Sequence, residues 1–221
     1  MLLILRHLES KKNIEHCFSS DADEEDLTDC GSIKGKEVAE HIDTFVSKHG
    51  YSVGTIYCAN SKRARNTAQI IADKLNVDVC ALDEFRSNNS GALRGKSETE
   101  AKKVNPLFMK QLKLFRAGIF SSYDFVKVHD REDKHEFEKR IGNAMQRIKA
   151  SDDHDIQIIV MHHSSLTAAV ISYARKFYNY PKDFYGCVAC ELGNIYLISD
   201  QEIILCNEPA SKLEDVILSE T

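Results

Sequence analysis

The stretch Met1-Leu2-Leu3-Ile4-Leu5-Arg6-His7-Leu8-Glu9-Ser10 runs through five apolar residues and turns abruptly polar at Arg6. A short aliphatic run closed by polar residues reads as a strand buried on both faces. Val53 to Cys58, Val77 to Leu82 and Ile156 to Met161 have the same form. Around them, residues 32–48, 63–75, 98–115, 132–149 and 165–178 carry apolar side chains at spacings of three and four, the period of an amphipathic helix. This alternation predicts an α/β fold, a three-layer α/β/α sandwich with a mainly parallel central sheet. Asn194 to Ser199 and Ile203 to Cys206, separated by Asp200 and Gln201, predict a hairpin at the sheet edge. Residues 19–30 and 86–97 are long polar connections, and connections of that length often carry function. The acidic run Asp21 to Asp26 reads as a solvated loop.

Composition narrows the functional classes. The chain has 221 residues, 43% of them hydrophobic and 29% charged, which fits a single globular domain over 1–221. A net charge of −5 argues against a general nucleic-acid or anionic-membrane binder, since those surfaces need a basic excess. The seven cysteines (17, 30, 58, 80, 187, 190, 206) are scattered and odd in number, unlike a secreted disulfide scaffold, so a reducing, cytoplasmic setting is expected. No basic leader with a cleavage site and no long apolar span is seen, so no membrane association is expected.

The chemistry lies at the ends of the proposed strands. Arg6 and His7 follow the first, Arg63 follows the second after a short loop, Glu84 follows the third, and His162 follows the fourth. In an open parallel sheet the carboxyl ends share one edge, where ligands bind. Two arginines and two histidines gathered there need an anion between them. A phosphoryl group suits that field, because guanidinium forks match its oxygens and positive charge stabilises its transition state. A carboxyl at the rim complements the cations by protonating the leaving oxygen and later taking a proton from water.

These residues carry a resemblance. Arg6-His7-Leu8-Glu9-Ser10 with Asn13 resembles the R-H-G-E-S-x-x-N opening of the histidine phosphatase superfamily, phosphoglycerate mutase-like branch. Leu27-Thr28-x-x-Gly31, Arg63-Ala64-Arg65-Asn66-Thr67-Ala68, and Leu82-Asp83-Glu84 with Gly91-Ala92-Leu93-Arg94-Gly95 resemble further blocks in the family's order, the last with three extra residues between its parts. Val160-Met161-His162-His163-Ser164-Ser165-Leu166 resembles the second-histidine block, preceded by a similar helix at 132–141. The resemblance implies a metal-independent phosphatase without a cofactor, acting on a small phosphorylated substrate. By it, His7 is the nucleophile, Arg6, Arg63 and His162 hold the phosphoryl oxygens, Asn13 adds a neutral donor, and Glu84 is the general acid and base. Glu98 and Glu100 stand as substitutes for Glu84, because of the extra residues before Gly91.

Two positions depart from the pattern: Leu8 and His163 stand where the family places glycine; the Leu8 side chain is expected to crowd the pocket, and the His163 side chain either to crowd it or to serve as an additional phosphate donor. A module that binds phosphorylated ligands without turning them over is the alternative reading. A mutase is a further one, although the mutases' arginine pair is unmatched around Arg116-Ala117 and no Gly-Trp pair follows Phe18. Lys62, Arg65, Arg86, Arg94 and Lys96 are candidate rim cations for a second anionic group, or else solvated surface charges. Gly91 to Ser97 fails as a nucleotide-binding loop, having three residues between its glycines where four are needed. The C-x5-R spacing of Cys80 and Arg86 encloses Asp83 and Glu84, which repel phosphate. Cys187 and Cys190 form a lone C-x-x-C, for which packing is the default reading.

Overall fold

Leu2, Leu3, Ile4 and Leu5 are all buried, which explains why this strand shows no polar alternation. In the computed structural model, residues 1–15, 17–18, 25–116, 126–151, 153–178, 188, 191–199 and 202–206 are described. Their strands are β1 (Leu2–Arg6), β2 (Ile56–Ala59), β3 (Val79–Leu82), β4 (Gln157–Met161), β5 (Ile195–Ile198) and β6 (Ile203–Cys206). They form one six-stranded sheet in the order β3-β2-β4-β1-β5-β6. The pairings β3-β2, β2-β4 and β4-β1 are parallel, whereas β1-β5 and β5-β6 are antiparallel. The expected hairpin therefore forms the edge, although its connecting residues Asp200 and Gln201 lie outside the described residues, as do Cys187 and Cys190.

The helices are α1 (Lys11–Glu15), α2 (Asp29–His49), α3 (Lys62–Leu75), α4 (Glu98–Val104), α5 (Pro106–Arg116), α6 (Lys134–Ser151) and α7 (His163–Phe177). Packing of α2 against α3 and of α6 against α7 completes the three-layer α/β/α sandwich. Local chemistry sets the ends. Thr28 caps α2 by accepting from the Gly31 N–H at 2.9 Å, and Gly50 closes the helix in the left-handed region at φ 65°. Gly31 is also required sterically, since a Cβ there would lie 2.2 Å from the carbonyl oxygen of Glu9. One helix was expected over 98–115, but the chain breaks between α4 and α5. Pro106 has no N–H and bars the helical conformation to Asn105, which sits at φ −146° and ψ 83°.

The main core fills both faces of the sheet. A smaller apolar cluster of Leu93, Ala101, Phe108, Val128 and Ile171 lies apart from it, with Phe18 and Leu112 packed alongside. Among the described residues no helix is long and apolar enough to cross a membrane.

Candidate active site

Parallel pairing of β1 with β4 places Arg6 opposite Met161, so the next residues, His7 and His162, emerge side by side. The His7 N–H donates to the Met161 carbonyl at 2.9 Å and fixes that exit. On the other side of β4, β2 leads through Asn60 to Ser61, which caps α3 and puts Arg63 in its first turn. Three parallel strand ends thus deliver two histidines and an arginine to one point. The imidazole centroids are 5.1 Å apart at 68°, and His7, Arg63 and His162 are 3%, 2% and 3% exposed.

Hydrogen bonds fix the tautomers. His7 Nδ1 lies 2.8 Å from the Leu8 carbonyl oxygen, which only accepts, so Nδ1 carries the proton and Nε2 keeps its lone pair. Arg63 Nε donates to that Nε2 at 3.2 Å, and Arg63 Nη2 lies 3.3 Å from His162 Nδ1. His162 then bears its proton on Nε2, 3.2 Å from Ser61 Oγ. Burial first, then the charges of Arg63, Lys12 and Arg6, push the His162 pKa well below 6.5. Burial, then His162, Arg63 and Arg6, do the same to His7 against an opposing hydrogen bond to Leu8. Both rings are neutral at pH 7, and the surrounding positive field awaits an anion.

The histidines open into a cleft of about 510 Å³. Arg6, Lys12, Asn13, Arg63 and His163 line its inner end. Asn13 Oδ1 accepts from the Ser10 N–H at 3.0 Å and from Ser10 Oγ at 2.7 Å, which leaves its NH2 as the group to offer a ligand. The outer wall joins two distant segments. Ala92 N–H donates to His129 O at 2.8 Å and Glu132 N–H to Asn89 O at 3.2 Å. Gly91 makes this approach at φ 56°; a Cβ there would lie 2.2 Å from His129 O and 2.4 Å from Arg131 N. Glu132, held below the usual carboxylate range against its burial by Arg140, accepts from both Arg140 and Arg86 and ties the wall to α6. Ser87, Asn88, Ser90, Leu93, Phe108 and Arg131 thereby face the cleft.

A sequence model of the histidine phosphatase superfamily (branch 1) matches residues 2–198. The chain belongs to that superfamily. It is 26% identical over 168 residues to a 2,3-bisphosphoglycerate-dependent phosphoglycerate mutase of Thermoplasma acidophilum, covering 76% of this chain and 73% of the relative. It is 28% identical over 172 residues to a Hydrogenobacter thermophilus protein provisionally called phosphoserine phosphatase 2, covering 76% of each. The solved structure of YhfR from Bacillus stearothermophilus superposes with a TM-score of 0.73 at 18% identity, covering 96% of this chain and 98% of that one.

Against the superfamily pattern, the chain brings Arg6, His7, Asn13, Arg63 and His162 together in the cleft. Glu84 is not among the cleft residues. Its carboxylate is ion-paired with Arg147 on α6, and that hydrogen bond holds it below the usual carboxylate range. Of its two substitutes, Glu100 is engaged with Ser97 at the start of α4, and Glu98 lines the cleft. Leu8 does not narrow the pocket. It is fully buried, with its Cδ1 2.8 Å from where a Cβ on Gly35 would stand, so the glycine-to-leucine departure faces the core. His163 does line the cleft.

Four of the five expected rim cations are engaged elsewhere, Lys62 with Asp26, Arg65 with Asn60, Arg86 with Glu132 and Arg94 with Asn89, and the fifth, Lys96, is not among the cleft residues. Lys12 and Arg131 occupy the cleft instead. Nor is the end of the acidic run merely solvated, since the Glu25 carboxylate lies 3.8 Å from Arg63 Nη1 and Asp26 pairs with Lys62 at 3.1 Å. Spacing gave no signal for Lys12, Asn88 or Arg131. Lys12 falls at a variable position of the opening motif, and the other two reach the cleft through the loop-to-loop lock at Gly91.

Proposed function

We propose that this chain is a phosphatase that hydrolyses a small phosphate monoester through a phosphohistidine on His7. The observation that carries the reading is the neutral His7 ring, whose Nδ1–H is tied to Leu8 and whose Nε2 lone pair sits beside Arg63 in a cationic cleft. Nε2 attacks phosphorus in line, the P–N bond forms and the ester P–O bond breaks. Arg6, Arg63 and His162, with the Asn13 amide, hold the phosphoryl oxygens and stabilise the charge that builds on them. Glu98, the acid of the three considered that lines the cleft, gives its proton to the leaving oxygen. In the second half-reaction it takes a proton from water, the oxygen attacks phosphorus, and the P–N electrons return to Nε2. The arginines supply positive charge of the kind a metal ion supplies in other phosphatases.

The test is release of inorganic phosphate from a panel of phosphate monoesters with and without a chelator, run beside an assay for interconversion of 2- and 3-phosphoglycerate. Hydrolysis unaffected by the chelator, with no efficient interconversion, is expected. A mutase must shield its phosphohistidine from water, so efficient interconversion with little free phosphate would replace the reading by the mutase one. Anion binding without turnover or phosphoenzyme would replace it by the binding-module one.

A further inference from the structure

We propose that the outer half of the cleft is a subsite for a planar aromatic or heteroaromatic leaving group. That the ring departs as a leaving group rests on the phosphatase reading, but the surface that would hold it is separate from the histidines. The Arg131 guanidinium lies over the Phe108 ring, 5.1 Å from its centroid, so a flat cation rests on a flat π surface in the cleft wall. Both residues line the cleft together with Phe18, Leu93 and Leu112. A phosphoryl group needs none of these apolar side chains. An aromatic ring uses all of them, since its edges bury against the aliphatic and phenyl groups and its face extends the guanidinium stack.

Asn88 adds a second, independent sign of a ligand at this wall. It is 9% exposed and lines the cleft, and its Nδ2 is buried without a hydrogen-bond partner among the described residues. A buried donor left unpaired is costly, and a ligand acceptor removes the cost. The backbone N–H of Asn88 donates to Ser164 Oγ at 3.1 Å, two residues beyond His162, which ties this residue to the histidine end of the cleft. The acceptor that the subsite assigns to its side-chain NH2 is the ester oxygen that joins phosphorus to the ring.

The wall is also preformed. Phe18 is held by backbone bonds to both Gly95 and Lys96, at 3.2 and 2.9 Å, and Arg131 by an isolated bridge to Ser90. A wall held in place before the ligand arrives selects shape as well as polarity.

The test compares the affinities of methylphosphonate, cyclohexylphosphonate and phenylphosphonate for the wild-type protein by calorimetry, which removes turnover and leaving-group reactivity from the comparison. Phenylphosphonate is expected to bind about tenfold or more tighter than methylphosphonate, with cyclohexylphosphonate between them. Phe108→Ala and Arg131→Met are each expected to shrink the phenyl-to-methyl ratio toward one. In a parallel hydrolysis assay, Asn88→Ala is expected to lower kcat/KM for phenyl phosphate by about tenfold. Equal binding of phenyl- and methylphosphonate would overturn the subsite, and cyclohexylphosphonate binding as tightly as phenylphosphonate would overturn its planarity. A preserved phenyl preference with no hydrolysis of any ester would remove the phosphatase reading and leave the subsite standing.

Discussion

Among the individual residues, one guanidinium organises the site. Arg63 reaches His7 with Nε and His162 with Nη2, and each contact requires an unprotonated ring nitrogen. Both histidines are therefore held neutral, which has a pH consequence. The unfolded chain protonates them near 6.5 while the folded chain does not, so their contribution to stability is intact above 6.5 and is lost as pH falls below it. The slope is at most about 1.4 kcal/mol per pH unit for each ring. Imidazole NMR is expected to show neither ring titrating through pH 6.5 in the free protein, and both moving toward the charged form when phosphate saturates the cleft. A full titration of either ring near 6.5 without phosphate would contradict the geometry.

The acids are separable by mutation. Glu98→Gln is expected to lower kcat/KM, which reports phosphorylation of His7, about a hundredfold or more on alkyl phosphates and far less on nitrophenyl phosphate, whose leaving oxygen needs no proton. Glu84→Gln is expected to change both only slightly. The reverse pattern would return the proton to Glu84 and require its pair with Arg147 to open. The same contrast marks what the sequence makes legible. His7, Arg6, Arg63 and His162 can be read from it because each follows a buried run directly or after a short loop, and strand register does the rest. Glu84 also follows a strand, but a 3-10 turn over Asp83–Phe85 directs it to Arg147, a partner 63 positions away that no spacing rule announces.

Among the helices and strands, Leu8 shows how a motif departure is absorbed. Its side chain leaves the strand end toward the core and occupies room provided by Gly35 on α2, which packs there beside Ile70 of α3. Leu8→Ala is expected to cost about 2–5 kcal/mol of stability and to bring no gain on bulky esters. Gly35→Ala is expected to cost about 1–3 kcal/mol through overpacking against Leu8 and Ile70. Denaturant unfolding of the double variant should show a total below the sum of the two losses, because each change relieves the other. Strict additivity would mean that the two positions do not share that space. The long helices are legible from their period and the buried strands from short aliphatic runs closed by polar residues, but the break at Pro106 is hidden inside a continuous apolar pattern that spans both α4 and α5.

Over the molecule as a whole, a chain of net charge −5 gathers Arg6, Lys12, Arg63 and Arg131 into one cleft, so the attraction for an anion is local rather than global. The parallel half of the sheet builds the histidine end of the cleft, and its layout follows from alternating strand and helix patterns. The outer wall depends on contacts between residues 89–92 and 128–132, which are distant in sequence and meet only because Gly91 permits it. Nucleophilic attack by His7, on which the phosphatase reading stands, can be observed by rapid acid-free quenching with a phosphorus-labelled aryl phosphate, followed by mapping of the labelled peptide. A base-stable, acid-labile label is expected on His7, decaying to inorganic phosphate and absent from His7→Ala. Label captured by the His7→Ala variant on another histidine, or a label on any other residue of the wild-type chain, would show that His7 is not the nucleophile.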